Sequence, residues 1–468
     1  MKPPISSALP LLKPRSQSAL KNALGEVRSL ASLAAPLVAG LVLSTSVALV
    51  DTAMLGPLGA LPLAAVSLTL SMVIIFYAAL YGFSGPVGLF AGRAFGESNA
   101  AGIGHVGRHG FVLSVAGGLL GTAFMALLVL TLPYLGQPPE VLAVITPYWL
   151  CIAASLLPFT VALTAKALLD ATDQPWLGVA LTAVTVLLNI LLNWVLIYGK
   201  WGFPALGLTG SGLASLVAQS FGAALMWIYV RWSPRFRSWW IKTPWQRAEF
   251  ARQWREALPM TVQYFMEGAA VAAAGLLIGL FGTIALAGNQ IALSVGSTLY
   301  MLPLGMSAAV SIRIAQTIGA GQTQRIGPIG HAGLGLVTLW MALTALTFLL
   351  AGEAIARQFV NDEAVIAAAA GIFFVFGFTQ LMDGIQSVSL GALRGLLDND
   401  WPTRVSLIAY WLIALPLAAV LGVGLGFGAP GVWAGFAVGL AFASVALLTR
   451  FQGHLRRGFP GLPAATSH

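Results

Sequence analysis

Charge is what this sequence lacks. Only 8% of its 468 residues are Asp, Glu, Lys or Arg, against about 25% in an ordinary soluble domain. With 58% hydrophobic residues, so few ionised side chains cannot clothe a water-soluble globule of this length. Soluble enzymes and soluble binding modules are thereby excluded, and the length bounds a helix count rather than a number of soluble domains. Cysteine is nearly absent too. Cys151 lies alone in an apolar run, so neither a disulfide framework nor a cysteine metal site can be built. The five histidines, His105, His109, His331, His454 and His468, fall in loops, at helix ends or in the tail, without metal-ligand spacing. There is no G-x-x-x-x-G-K-S/T phosphate loop, which argues against ATP as the energy source, and "GESNAAG" and "GAGQTQ" read as turns. No enzyme chemistry and no cofactor are expected.

What the chain does have is long apolar runs. Stretches long enough to cross a hydrocarbon layer of about 30 Å lie at 30–54, 63–92, 109–132, 141–163, 176–199, 207–230, 257–280, 285–312, 329–352, 365–391, 405–425 and 430–449. Only helices or closed barrels satisfy the backbone in lipid, and these runs are too long and too continuously apolar for barrel strands. Twelve crossings place 22 of the 24 Lys and Arg on the side of both termini and leave Lys200 and Arg357 on the other. The positive-inside rule then puts both ends in the cytoplasm. The basic, aromatic segment "RWSPRFRSWWIKTPWQRAEFARQWR", residues 231–255, reads as an interfacial loop meeting anionic headgroups rather than a nucleic-acid patch.

That segment divides a repeat. A shift of 223 residues pairs Pro36 with Pro259, Gly56 with Gly279, Gly59 with Gly282, Ser71 with Ser294, Gly96 with Gly319 and Gly104 with Gly327, without a gap. The expected fold is an all-α integral membrane protein, with two six-helix lobes related by a pseudo-two-fold axis along the membrane normal. The expected divisions are a disordered basic tail (1–25), an N-lobe (26–231), a cytoplasmic linker (232–256), a C-lobe (257–452) and a C-terminal tail (453–468). Duplicated bundles of this kind suit alternating exposure of a central site, although duplication alone also yields a static scaffold or channel.

Of fifteen acidic residues, twelve fall in tails, loops or helix ends, where solvation accounts for them. Asp51, Glu267 and Asp383 lie inside apolar spans, each at a cost of about 2.5–3.5 kcal/mol at a helix centre. Helical spacing gives them polar company. Gln263 and Tyr264 precede Glu267 by four and three residues, and Gln380, Asp383 and Ser387 share a face. Thr182, Thr185, Asn189 and Asn193 form a stripe able to face Asp51. Stripped of water, a carboxylate gains from binding a proton, a Na⁺ or an organic cation, and competition among them is the physics of antiport. The plainer reading of Glu267 and Asp383 is a hydrogen bond gluing helices, and that of Asp51, near the outer interface, is a side chain reaching water. Tyr77 and Tyr81, a turn apart, offer either a stacking face for a flat cation or ordinary packing. Pro36 and Pro259 are either hinge points or helix-start prolines.

Together "VDTAMLGPLGALPLAAVSL", "FME", "LMDGIQSVSLGALRGLLDND" and "GAPGVWAG" resemble the multidrug and toxic compound extrusion family, in its NorM-like branch, from about Glu26 to Arg450. The resemblance implies a multi-pass inner-membrane antiporter that exports amphipathic organic cations in exchange for Na⁺ or H⁺. The residues themselves add membrane lipids as surroundings, no nucleic-acid partner, and a repeat that suits a functional monomer. The resemblance assigns Asp51, Asn189 and Asn193 to coupling and substrate in the N-lobe, and Glu267 and Asp383 to coupling in the C-lobe; helical spacing adds Thr185 to the first set and Gln263, Tyr264 and Gln380 to the second. A Na⁺ would lie at Glu267 and Asp383. Where relatives often carry an aromatic residue a turn before the helix 10 acid, this chain has Thr379. A flippase for a lipid-linked precursor and a non-transporting scaffold are the competing readings. The first needs a strongly basic interior and the second makes the three acids dispensable.

Overall fold

The computed structural model describes residues 15–135, 139–240 and 244–458, and all regular structure among them is helical. Twelve helices are long and apolar enough to span a bilayer. They are α1 (Arg15–Leu55), α2 (Ala60–Gly96), α3 (Ala100–Leu128), α4 (Pro139–Ala171), α5 (Pro175–Tyr198), α6 (Gly207–Trp232), α7 (Arg247–Gly279), α8 (Thr283–Gly319), α9 (Ile326–Ala356), α10 (Glu363–Gly395), α11 (Asp400–Gly424) and α12 (Gly428–Arg457). Their ends follow local chemistry. Asn99 caps α3 by accepting from the Gly102 amide at 2.8 Å, and Asp362 caps α10 by accepting from Ala364 at 2.9 Å. In α11 two π turns, Ile408–Ala414 and Ala419–Gly424, flank Pro416, which has no amide to donate.

The repeat is visible in the backbone. Gly59 and Gly282, 223 residues apart, end the turns after α1 and α7 with φ of 104° and 90° and ψ of −177° at both, a conformation reserved to glycine. Between the lobes, Gly96 lies against the carbonyl of Gln316, and Gly319 lies against the carbonyl of Arg93. Arg93 and Gln316 are themselves 223 residues apart, so α2 and α8 meet through one patch used twice, the signature of an approximate two-fold axis. A Cβ on either glycine would overlap the opposing backbone.

The packing departs from the expected divisions at both tails, in the N-lobe and in the linker. Residues 1–14 of the expected tail lie outside the described residues, but Arg15 to Gly25 are helical and continue into α1. The first half of α1 does not pack as part of the N-lobe. Leu30, Leu33, Ala34 and Leu37 are buried in the C-lobe core with Ala309, Val310 and Ile329, because α1 leans across the seam onto α8 and α9. Conversely, α7 begins at Arg247, inside the expected linker, and its Ala257 packs with Phe83 and Leu113 of the N-lobe. The rest of the linker is also folded. Residues Pro234–Trp240 form a 3-10 turn against α3, and Trp240 Nε1 donates to the Val230 carbonyl at 2.8 Å. In the C-terminal tail, residues up to Arg457 extend α12, and residues 459–468 lie outside the described ones. Asp170, which the sequence places among the solvated acids, is buried and paired with Lys166 at 2.6 Å. One helical turn brings that cation to it.

Candidate functional site

The N-lobe acid sits in a cage of donors. Asp51 on α1 is 8% exposed. Asn193 on α5 donates from Nδ2 to Asp51 Oδ1, and Ser215 on α6 donates to Asp51 Oδ2 at 3.3 Å. Asn189 supports both donors: its Nδ2 donates to Ser215 at 3.3 Å, and its Oδ1 accepts from Asn193 at 3.1 Å. The four-residue step from Asn189 to Asn193 puts both amides on one face, where they orient each other. Such a cage stabilises a charge that bare hydrocarbon would reject.

The C-lobe uses the same helices of the repeat, the first and the fifth. Glu267 on α7 accepts from Gln263 Nε2 at 3.0 Å and from Ser406 on α11 at 2.9 Å. Gln263 also donates to Ser406 at 3.1 Å. Its Oε1 accepts at 3.1 Å from Arg394, whose Nη1 donates to the Tyr264 hydroxyl at 2.7 Å. Arg394 is 7% exposed at the end of α10, and its guanidinium lies 4.6 Å from the centroid of the Tyr264 ring. Asp383 is half-buried higher on α10, within range of the charge on Glu267, with Tyr300 and Tyr410 nearby.

Not every expected residue converges. The Thr185 hydroxyl donates to its own helix, at Leu181, and packs on Gly222, so it supports the α5–α6 contact rather than Asp51. Thr182 likewise bonds Gly178. Gln380 accepts from Thr344 of α9 at 3.3 Å, away from Glu267, and Ser387 donates to the Pro303 carbonyl of α8. The two tyrosines already have ring partners. Tyr77 packs on Phe159 with centroids 4.6 Å apart, and Tyr81 meets Tyr264 edge-on at 5.7 Å across the lobe seam. Neither is a free stacking face in this conformation. Sequence reasoning misses Ser215, Ser406 and Arg394. A serine in a small-residue run looks like a packing serine, and Arg394 stands near the end of a span, where solvation is the default.

The seam between the lobes is shut on the side of the termini. Arg313 of α8 pairs with Asp173 of the α4–α5 turn at 3.1 Å, and Gln316 donates to the Ala171 carbonyl at 2.9 Å. Arg93 of α2 donates to the Leu396 carbonyl at 3.3 Å, and Gln253 of α7 donates to Val106 of α3 at 3.2 Å. Among the described glycines, those touching the opposite lobe farthest from this side are Gly82 against Met260 and, at the equivalent position, Gly305 against Val38. Glu267 lies seven residues beyond Met260, and Asp51 thirteen beyond Val38, or about 10 and 20 Å along their helices. Both acids therefore lie past the closed part of the seam. Two further cavities do not include them. One of about 530 Å³ borders the closed end, with Asp173, Arg313 and Arg325 in its wall, and one of about 560 Å³ is an apolar groove between α1, α8 and α9.

Duplication is also what comparison finds. The MatE family profile matches twice, over residues 36–195 and 259–420, once in each lobe. The chain belongs to the MatE family. It is 31% identical over 443 residues to a "Probable multidrug resistance protein NorM" of Pseudomonas putida, covering 92% of this chain and 95% of that protein. Two solved structures share the fold. The eukaryotic MATE transporter AtDTX14 aligns with a TM-score of 0.84 and 19% identity, over 94% of this chain and all of that one. The Vibrio cholerae MATE transporter VcmN in its bent form aligns with a TM-score of 0.81 and 22% identity, over 93% and 98%. MatE proteins are multi-pass membrane transporters of a multidrug efflux family, not enzymes, and the NorM-like resemblance read from the motifs holds along nearly the whole chain.

Proposed function

We propose that the protein is a secondary active exporter of amphipathic organic cations, driven by H⁺ or Na⁺ through alternating access. The bacterial inner membrane is its place of work, with both termini in the cytoplasm. The observation that carries the proposal is the pair of caged carboxylates on the first helix of each lobe, both beyond a seam that polar contacts close at the terminal side. A carboxylate held this way binds a cation from the open side, and the occupant decides which closed state is favoured. With the termini cytoplasmic, the conformation described faces outward. Among the described residues no three His, Cys, Asp or Glu side chains converge. A Na⁺ at Glu267 and Asp383 therefore takes its remaining oxygens from hydroxyl, amide, carbonyl or water. A lipid-linked anionic precursor needs a basic lining, whereas Arg394 is committed to Gln263 and Tyr264.

The test is dye efflux in everted vesicles given either a proton or a Na⁺ gradient. Asp383→Asn and Glu267→Gln should each abolish export while folded protein stays in the membrane, since each removes charge and keeps shape. Wild-type export by both variants contradicts the assignment, and the gradient that drives the unaltered protein names the ion.

A further inference from the structure

Arg394 has no part in the mechanism just described, yet it is a buried cation inside the bilayer span, and such a charge needs a partner. The acid nearest to it in sequence, Asp398, is already occupied by Arg450 and His454, each at 2.8 Å. Asp383 is eleven residues away on α10. That is three turns along the same face, about 16 Å, and too far for an ion pair. Glu267 is the acid that the hydrogen bonds of Arg394 lead to, and one side chain joins the two. Gln263 turns its carbonyl oxygen to Arg394 Nη2 at 3.1 Å and its amide nitrogen to Glu267 Oε1 at 3.0 Å. The reverse orientation would set donor against donor at one end and acceptor against acceptor at the other, so the network fixes the direction of the amide. An arginine keeps its charge throughout the working pH range.

We propose that Arg394 is a resident counter-charge to Glu267, relayed through Gln263, so that the C-lobe pocket carries a single unopposed negative charge, at Asp383. Asp383 accepts no hydrogen bond from a described residue, in contrast to the two that Glu267 receives. The pocket then holds one monovalent cation at a time, and the exchange it supports is one positive charge for one. The role of Glu267 changes accordingly: it cancels Arg394, and its loss silences the pocket by leaving that cation unopposed beside Asp383. This inference rests on the export reading above and deepens it.

Charge rescue tests it, with ethidium as the exported monovalent cation and the full-length protein in everted vesicles. Glu267→Gln alone is expected to lose efflux, and the double variant Glu267→Gln with Arg394→Gln, which restores the net charge of the pocket, should recover a substantial part of the wild-type rate. Asp383→Asn should stay inactive in either background. A double variant as inactive as Glu267→Gln overturns the proposal, because Glu267 is then needed for itself. Arg394→Gln alone gives an independent reading should the double variant be lost from the membrane. With two unopposed carboxylates it should need about tenfold less of the coupling cation, H⁺ or Na⁺, for half-maximal efflux, and Arg394→Lys should return that value toward wild type. An unchanged half-saturating concentration in Arg394→Gln also overturns the proposal, since a merely structural arginine would alter the amount of folded protein and not this value. Absence of cation-driven efflux in the unaltered protein would instead count against the export reading.

Discussion

Asp51 shows how a charge is kept where water is scarce. One amide from α5 and one hydroxyl from α6 converge on it, both held by Asn189, and their contributions differ. Asn193 points its amide at the carboxylate and is itself held by Asn189, whereas the Ser215 bond, at 3.3 Å, is long. Asn193→Ala should therefore destabilise the protein by about 1–3 kcal/mol, and Ser215→Ala by about 1 kcal/mol or less. Thermal melting in detergent reads the difference, and equal effects would contradict the ranking. Thr185→Val, by contrast, should leave export intact, because that hydroxyl bonds only its own helix and the change keeps its shape. The three acids were legible in the sequence because an uncompensated carboxylate in an apolar span is conspicuous. Their partners were legible only where helical spacing put them on the same helix or where an amide stripe was long. Ser215 and Ser406 reach the acids, and Arg394 reaches Gln263, from other helices, and periodicity within one helix carries no information about contacts between helices.

Among the elements, α1 and α7 do most to set the geometry. Each begins in the opposite lobe and ends in its own, so the first half of each helix and the acid farther along belong to different bodies. The repeat made the pairing of these helices readable, through Pro36 with Pro259 and Gly59 with Gly282. Their lean across the seam was not readable, since an apolar face looks alike whichever lobe covers it. Both helices turn back at glycines whose φ of 104° and 90° other residues avoid. Gly59→Ala or Gly282→Ala should each cost about 1–3 kcal/mol through backbone strain alone, as both positions have open space for a methyl group. A melting temperature unchanged in both would show that the turns relax.

For the whole molecule, the seam is the moving part. It is held at the terminal side by the Asp173–Arg313 pair, by Gln316 and Arg93 on carbonyls of the opposite lobe, and by the reciprocal contacts of Gly96 and Gly319. The ion pair is partly exposed, so by itself it is worth about 1 kcal/mol or less. The glycine contacts are steric and cannot be screened. Gly96→Val and Gly319→Val should force this end apart and favour the opposite-facing state, whereas Asp173→Asn should shift the balance only about twofold to fivefold. A cysteine placed at Thr317, buried at this end, reports the change, gaining reactivity towards a membrane-impermeant maleimide applied from the terminal side. The same reactivity in the glycine variants and the unaltered protein would mean that this end does not gate access.

The central claim is that the exported cation and the coupling ion compete for the carboxylates of the C-lobe pocket. Its most direct test is equilibrium binding of tetraphenylphosphonium to the purified protein at a series of pH values and Na⁺ concentrations. The account predicts that its Kd rises in proportion to the coupling ion, and that Asp383→Asn removes this dependence. A Kd in the unaltered protein that stays constant across both series would contradict the account.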